Sequence, residues 1–379
     1  MKWNQKGKIM SKICVMSSVH SAYDTRIYHK EILSLINDGY NIAFLNKEKN
    51  GVDDLGIEFI KVNISRNRLK RIFTSSLRMY KLAMEQKANV YHFHDPELLP
   101  VGLLLRLKGK EVVYDVHEDV PRQILHKTYL KPMARKLIAF AFERIEKYIA
   151  KKLSLVICAT PKIESVFHKY ECKTICVKNY PKLEEFEHLH KGAEKSKEGV
   201  CYLGGIRGDR GIFEMIEAAE KSNTKLKLGG SFDLCSLEQK VRTKKEWANN
   251  VVFYGFVDRV KVAEIMNSSV AGLVVLHPTN QYIDSLPIKM FEYMAAGIPV
   301  IASNFPLWQK IVDEGECGVC VDPLKPNEIA KVIKHLVKNP HMACEMGEKG
   351  KRLIKEKYNW SVEEKKMLKY YNKLFGNIR

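Results

Sequence analysis

The chain has 379 residues, 45% of them hydrophobic and 28% charged, a globular composition that excludes a disordered polypeptide and a low-complexity segment. That length is enough for two or three domains, each with its own core. The formal charge of +19 is uneven: residues 1–180 carry 32 Lys/Arg against 18 Asp/Glu (+14), and residues 181–379 carry 31 against 26 (+5).

No apolar run reaches eighteen residues, so no membrane-spanning helix is expected. Residues 1–12 are basic but lack a long apolar stretch and a cleavage site, so no signal peptide is expected. The nine cysteines (14, 158, 172, 176, 201, 235, 317, 320 and 344) form no disulfide framework. They read as free thiols of a reducing, cytoplasmic compartment. Cys317-Gly-Val-Cys320 has metal-ligand spacing, but no second Cys/His pair accompanies it, so structural thiols are expected there.

In chain order, short apolar runs alternate with amphipathic segments. The first series of strands is expected at 13–17, 41–45, 59–62, 90–93, 112–116, 155–159 and 174–177. A second series is expected at 200–203, 225–228, 251–254, 272–276, 300–302 and 318–321. Helices are expected between them at 27–37, 97–107, 212–221, 261–267 and 327–337. Strand–helix alternation of this kind predicts parallel sheets with both faces covered. Residues 181–198 are polar with little periodicity and read as a linker between domains 1–180 and 199–359.

Two basic stretches stand out. Between Glu58 and Glu85 there are seven basic residues and no acidic one, with Leu69, Ile72, Phe73 and Leu77 among them. Arg66, Arg68, Lys70 and Arg71 are therefore expected to dock on an anionic membrane surface. The other stretch, 127–152, reads as one long basic helix with Leu137, Ile138, Phe140, Ala141 and Ile145 interleaved. Aromatic and basic residues do not alternate as stacking platforms do, so no nucleic-acid partner is expected.

The most specific segment is Asp284-Ser-Leu-Pro-Ile-Lys-Met-Phe-Glu292, followed by Tyr-Met-Ala-Ala-Gly297-Ile-Pro299. Proline suits the first turn of a helix. Ser285, Lys289 and Glu292 then share one helical face near an N-terminus, whose free N–H groups and positive dipole end bind phosphate.

This segment resembles the acidic-x7-acidic motif of the family 4 glycosyltransferases, retaining enzymes of the GT-B fold. The resemblance implies two Rossmann-like parallel-sheet domains facing across a cleft, with the last helix, 360–375, packed back on the N-terminal domain. It places Asp284 by the donor sugar, Ser285 and Leu286 on the diphosphate, and Glu292 on the ribose. The usual first residue is glutamate, so Asp284 is one methylene shorter. Cys201-Tyr-Leu-Gly204-Gly205-Ile-Arg207-Gly-Asp-Arg210-Gly211 resembles the family's donor-domain loop. Arg210 stands where the family has lysine and Gly205 where it has arginine; Arg207 or Lys289 would have to supply the missing cation.

Gly255 and Phe256 fall on the loop that meets the nucleotide base. Val113-Tyr-Asp-Val-His117 resembles the segment whose histidine meets the donor sugar, so His117 and Asp284 are the expected catalytic-site residues. His94, Asp24 and Arg26 are expected on the acceptor side, with an Asp24 that caps a helix beside a solvated Arg26 as the alternative. His92 and His94 are expected on opposite faces of their strand.

The resemblance implies transfer from a nucleoside-diphosphate sugar, UDP ahead of GDP, to a glycan or polyprenyl-linked acceptor in surface-polysaccharide synthesis, at the inner membrane face. No cofactor or metal is expected: there is no Asp-x-Asp pair, and two positive loops can replace a divalent ion. A non-catalytic partner subunit, left open by Gly205, and a nucleotide-sugar 2-epimerase remain as alternatives.

Overall fold

The computed structural model describes residues 11–65, 74–125, 131–187 and 197–376. The expected membrane-docking residues Arg66, Arg68, Lys70 and Arg71 lie outside the described residues. The chain divides into two compact units, Met1–Asn179 with Ser361–Arg379, and Tyr180–Trp360.

The first unit is built on an eight-stranded sheet. Its strands are β1 (Lys12–Met16), β2 (Asn41–Asn46), β3 (Gly51–Val52), β4 (Glu58–Lys61), β5 (Val90–Phe93), β6 (Glu111–Val116), β7 (Leu155–Cys158) and β8 (Thr174–Cys176). They run in the order β3-β4-β2-β1-β5-β6-β7-β8, parallel throughout except for β3 against β4. Beyond the first residues of β1 and β6 the central strands are buried throughout, as near-continuous Ile/Val/Leu/Phe runs must be when helices cover both faces. The strand order reverses between β1 and β5, and this switch point is where open α/β sheets form ligand crevices beyond the strands' carboxyl ends.

Two helices differ from the sequence-based expectation. The segment expected as one helix, 27–37, opens with a wide turn, Ile27–Ile32, before α-helix Leu33–Asn37. In that turn the amides of His29 and Glu31 reach back five residues, to Asp24 and Arg26. Wide turns of this type re-aim side chains and are frequent at functional sites, and here Lys30 and Glu31 are turned inward. The long basic helix runs Pro132–Ala150, with Pro132 in its first turn, and a short helix Val120–Leu125 precedes it.

The second unit holds six parallel strands: β9 (Val200–Leu203), β10 (Leu226–Gly229), β11 (Val251–Phe253), β12 (Ala271–Val274), β13 (Val300–Ser303) and β14 (Gly318–Val321). Their order is β11-β10-β9-β12-β13-β14, and the reversal falls between β9 and β12. The beginning of the segment read as a linker is packed instead. Helix Glu184–Glu187 buries Phe186, and Tyr180 lies edge-on to Phe291 and Tyr358. Helix Trp360–Gly376 contributes the buried Tyr371 to the first unit. Among the described residues no helix is long and apolar enough to cross a membrane.

Candidate functional site

Each unit gathers polar side chains at its own switch point. In the first, the loop after β1 wraps the carboxylate that follows β5. Ser17 Oγ (2.9 Å), Ser18 N–H (2.6 Å) and Val19 N–H (3.2 Å) all donate to Asp95 Oδ2. Beside it, Arg26 is only 2% exposed. Its Nε and Nη2 donate to the two carboxylate oxygens of Asp115 at 3.0 and 2.9 Å, and its Nη1 donates to the Val177 carbonyl at 2.9 Å. Glu31 Oε1 lies 2.8 Å from the same Nε. Two carboxylates therefore share one guanidinium away from water. Burial and the Asp115 charge push the Glu31 carboxyl well above its usual range. Asp115, although desolvated, is held well below it by Arg26 and then His117.

Three histidines complete the group. His92 and His94 lie with ring centroids 4.4 Å apart, His94 Nδ1 is 3.3 Å from Asp115 Oδ2, and His117 Nε2 is 3.3 Å from the same oxygen. Burial and the neighbouring rings keep His92 well below the usual histidine pKa, and burial lowers His94 as well. The His117 side chain is 20% exposed, whereas those of His94 and Asp115 are fully enclosed. At the rim, the hydrogen bond to Asp24 raises the pKa of His20. Despite its burial, Asp24 is held well below the carboxylate range by His20 and by the amides of Ile27 and Arg26.

In the second unit the turn after β9 lies under a cation. Gly204 has φ +143°, and a Cβ there would come within 2.3 Å of Lys289 Nζ. Only glycine permits both that backbone and that approach. Arg210 Nη1 donates to the Gly205 carbonyl at 3.2 Å, and Tyr202 Oη donates to the same oxygen at 2.8 Å. Burial and the Arg210 charge bring the Lys289 ammonium down to about 8. Lys289 lies in helix Ile288–Ala295, with Pro287 at its N-cap. One turn further along the helix, Glu292 Oε1 accepts from Arg259 Nη1 at 2.8 Å. Gly255 ends the β11 turn in a left-handed conformation, and Phe256 beside it is 85% exposed.

Comparison with known proteins agrees with both halves. Residues 12–177 match Glycosyltransferase Family 4, and residues 184–353 match Glycosyl transferases group 1. The chain belongs to the group 1 and family 4 glycosyltransferases. An uncharacterised glycosyltransferase of Methanocaldococcus jannaschii is 23% identical over 342 residues, covering 83% of this chain and 80% of that protein. The sucrose-phosphate synthase of Thermosynechococcus elongatus superposes with a TM-score of 0.75 at 18% identity, covering 97% and 100% of the two chains. Anabaena HepE in complex with UDP-glucose superposes with a TM-score of 0.67 at 13% identity, covering 96% and 99%. These likenesses establish the GT-B fold.

Against that identification, the glycosyltransferase places its expected site residues as follows. Gly204, Gly205, Arg210 and Lys289 come together. Arg207 does not join them: it pairs with Asp209 at 3.0 Å and with Asp233 at 3.6 Å. Of Arg207 and Lys289, the two residues expected to replace the cation missing at Gly205, Lys289 is the one at the turn. Ser285 differs from the open amide expected. Its N–H and Oγ both donate to the Tyr282 carbonyl, and its own carbonyl accepts from Trp308 Nε1 at 2.6 Å. Leu286 is half-buried and Asp284 exposed.

In the first unit, Arg26 is neither an open acceptor contact nor the solvated alternative, because Asp115, Glu31 and Val177 occupy it. Asp24 does cap the turn through the Arg26 and Ile27 amides. The placement of His92 and His94 on opposite faces is corrected: positions two apart in a strand share a face.

Sequence reasoning missed Asp115, Glu31, Tyr282 and Arg259. Asp115 could have been found, since it sits two positions before His117 and therefore on the same face. Among the described residues, Glu31, His92, His94 and Asp115 offer possible metal-ligand atoms within 4.8 Å of one another. Arg26 already places a positive charge against both carboxylates of that group.

Proposed function

We propose that this glycosyltransferase takes a sugar from a nucleoside-diphosphate sugar, UDP ahead of GDP, and passes it with retention to a glycan or polyprenyl-linked acceptor. The carrying observation is the pair Lys289 and Arg210 converging on the Gly204–Gly205 turn at the switch point of the second unit. Cleaving a sugar–diphosphate bond builds negative charge on the leaving phosphate. Cations fixed beforehand in a half-buried turn stabilise that charge with no reorganisation. Arg210 can engage two phosphate oxygens through its planar fork, and Lys289 acts as a point charge. Together they supply the charge a divalent ion would otherwise bring, so we expect the reaction to need no metal or cofactor. The UDP-glucose held by Anabaena HepE supports a UDP-sugar donor.

Glu292 is assigned the ribose hydroxyls, with Arg259 holding its carboxylate in place. Gly255 and the exposed Phe256 are assigned the base, and Asp284, Ser285 and Leu286 the sugar and diphosphate. Occupying the last of these sites requires Ser285 to release Tyr282. His117 is assigned a sugar hydroxyl. Asp115, at 3.3 Å from Nε2, fixes its ring and tautomer, leaving Nδ1 as the outward nitrogen. His94 and Arg26 then act through Asp115, and Asp24 stays at the rim on the acceptor side. Same-face attack by the acceptor, with the leaving phosphate as base, gives retention without a covalent nucleophile.

Thermal unfolding against UDP-, GDP-, ADP- and dTDP-sugars tests this reading. A folded-state ligand at a hundred times its Kd adds about 2.7 kcal/mol. A selective shift supports the donor assignment. No shift with any nucleotide refutes it and restores the non-catalytic partner. Where a donor and an acceptor are found, the proton coupling at the product's anomeric centre reports retention or inversion.

A further inference from the structure

The helix Pro132–Ala150 is turned inside out relative to an ordinary surface helix. Its buried residues are Ala139, Glu146, Ile149 and Ala150, two alanines and an acid among them. Most of its large apolar side chains point to solvent: Met133, Leu137, Ile138, Phe140, Ile145 and Tyr148 are 44–81% exposed. These are six of the 21 exposed large hydrophobics of the described residues, concentrated on one 19-residue element. At helical spacing, Met133, Leu137, Phe140, Arg144 and Tyr148 form one stripe opposite the buried face.

The stripe is edged with cations. From Lys131 to Lys152 the sequence holds seven Lys/Arg against two Asp/Glu, and one of the two acids, Glu146, is buried. Arg144 lies over the Phe140 ring at 4.9 Å, and Lys152 Nζ donates to Tyr148 Oη at 2.7 Å. Arg144, Lys147, Tyr148, Lys151 and Lys152 line a shallow cleft at the C-terminal end of the stripe. Lys151 also pairs with the exposed Glu171, and Glu143 accepts from Tyr170 Oη at 2.8 Å; these acids leave the face strongly positive.

We propose that this face is a docking surface for an anionic lipid bilayer, with the helix lying in the interface plane. Apolar side chains enter the acyl boundary while flanking Lys and Arg meet headgroup phosphates, which is the composition interfacial helices require. A soluble partner protein would be met by aromatic anchors with few lysines, because Lys is depleted from protein interfaces. The proposal gives the lipid-linked acceptor reading its place of action and rests on that reading for purpose alone. It is also independent of the basic cluster at Arg66–Arg71.

The test is flotation of the full-length protein with vesicles of phosphatidylcholine, alone or with 30% phosphatidylglycerol, at about 0.1 and 0.5 M salt. Binding to the anionic vesicles alone is expected, with release at high salt. Each interfacial base contributes about fivefold to partitioning, so joint R144Q, K147Q, K151Q and K152Q should weaken it on the order of a hundredfold or more. L137S with F140S should remove about tenfold for each side chain that inserts fully. Thermal unfolding confirms that both variants fold, and their stabilisation by a nucleotide sugar is measured separately. Loss of vesicle binding with donor binding intact supports the proposal even if the donor is unexpected.

It is overturned by no flotation of the wild type, by equal flotation of wild type and the four-base variant, or by displacement from vesicles by equimolar duplex DNA. Concentration-dependent dimers in sedimentation, abolished by L137S with F140S, would also overturn it by assigning the stripe to a second copy of this chain.

Discussion

The two carboxylates that share Arg26 should respond in opposite ways to neutralisation. Asp115 is fully buried and takes both arms of the guanidinium at 2.9 and 3.0 Å. Asp115→Asn keeps the shape but turns an amide toward a cationic donor. Breaking one side of a buried pair costs about 3–5 kcal/mol. In a unit of this size each kcal/mol moves Tm by about 2–4 °C, giving a fall of roughly 6–20 °C.

Glu31 moderates that loss. Its carboxyl is raised by burial and by the Asp115 charge, so removing that charge lets Glu31 ionise and take over the guanidinium at 2.8 Å. The sign of the pH dependence follows. A carboxyl with a raised folded-state pKa contributes stability that is complete below its unfolded value near 4.3 and is lost as pH rises through the folded value. Glu31→Gln cannot lose a proton, so its stability relative to wild type should rise with pH and be near neutral or better at pH 8. Asp115, held low, works the other way: its contribution is present above its unfolded value near 3.9 and fades as pH falls.

Urea and thermal unfolding from pH 5 to 8.5, above the range in which Asp115 takes up its proton, should therefore show Asp115→Asn costly throughout. Glu31→Gln should be mild, and the double variant worse than the sum. Equal losses for the two single variants, independent of pH, would refute the assignment of the proton to Glu31.

The remaining predictions concern the second unit. Glu292→Ala should weaken nucleotide-sugar binding roughly 10- to 100-fold, the worth of hydrogen bonds to a charged group; isothermal titration with an unchanged Kd would remove Glu292 from the ribose. Lys289, brought down to about 8, must be protonated to hold a diphosphate. Donor Kd should be flat below pH 8 and rise toward tenfold per pH unit above it, and Lys289→Met should abolish that rise. Gly204→Ala forces a Cβ into Lys289 at a φ of +143° and should cost about 1 kcal/mol or more, with donor binding falling further than stability. Full donor affinity in this variant would show that the lysine's seat is unimportant.

How much of this was legible in the sequence depended on the distance over which the determining contact acts. Parallel strands buried on both faces are continuous apolar runs, so the Ile-Cys-Val-Met of β1 and the Val-Ile-Ala of β13 announced themselves, and with them the fold class. The segment from Asp284 to Glu292 was legible because proline, glycine and helical spacing are local signals. Arg26 was not. Charged residues are almost never fully buried unless paired, and its partner Asp115 lies 89 positions away, so an acceptor contact or, as the alternative, a solvated guanidinium was the natural expectation. The same limit hid the exposed stripe of the Pro132–Ala150 helix. Its apolar residues have core-like spacing, and only the packing of Ala139 and Ile149 inward shows that Leu137 and Phe140 face out. The packed start of the segment read as a linker was missed because one buried aromatic residue, Phe186, outweighs its polar average.

Gly205 is the departure from the family pattern that most threatens a catalytic reading, and the surroundings of the turn answer it. A side chain at position 205 would meet Arg210 Nη1 at 3.1 Å, and one at Gly204 would overlap Lys289. The space beside the turn is thus already held by two cations reaching in from other elements, one from the following loop and one from helix Ile288–Ala295. An arginine added at 205 would place a third positive charge against Arg210, in a site where burial and the Arg210 charge already depress the lysine. The glycine therefore moves the second charge from the loop to the helix without removing it from the site. What changes is its chemistry. A guanidinium stays charged at every physiological pH, whereas a half-buried ammonium at about 8 is only mostly charged at neutrality and regains the rest when an anion binds. On the proposed assignment of Lys289 to the donor diphosphate, donor binding would be coupled to proton uptake in a way that an arginine at position 205 would not give.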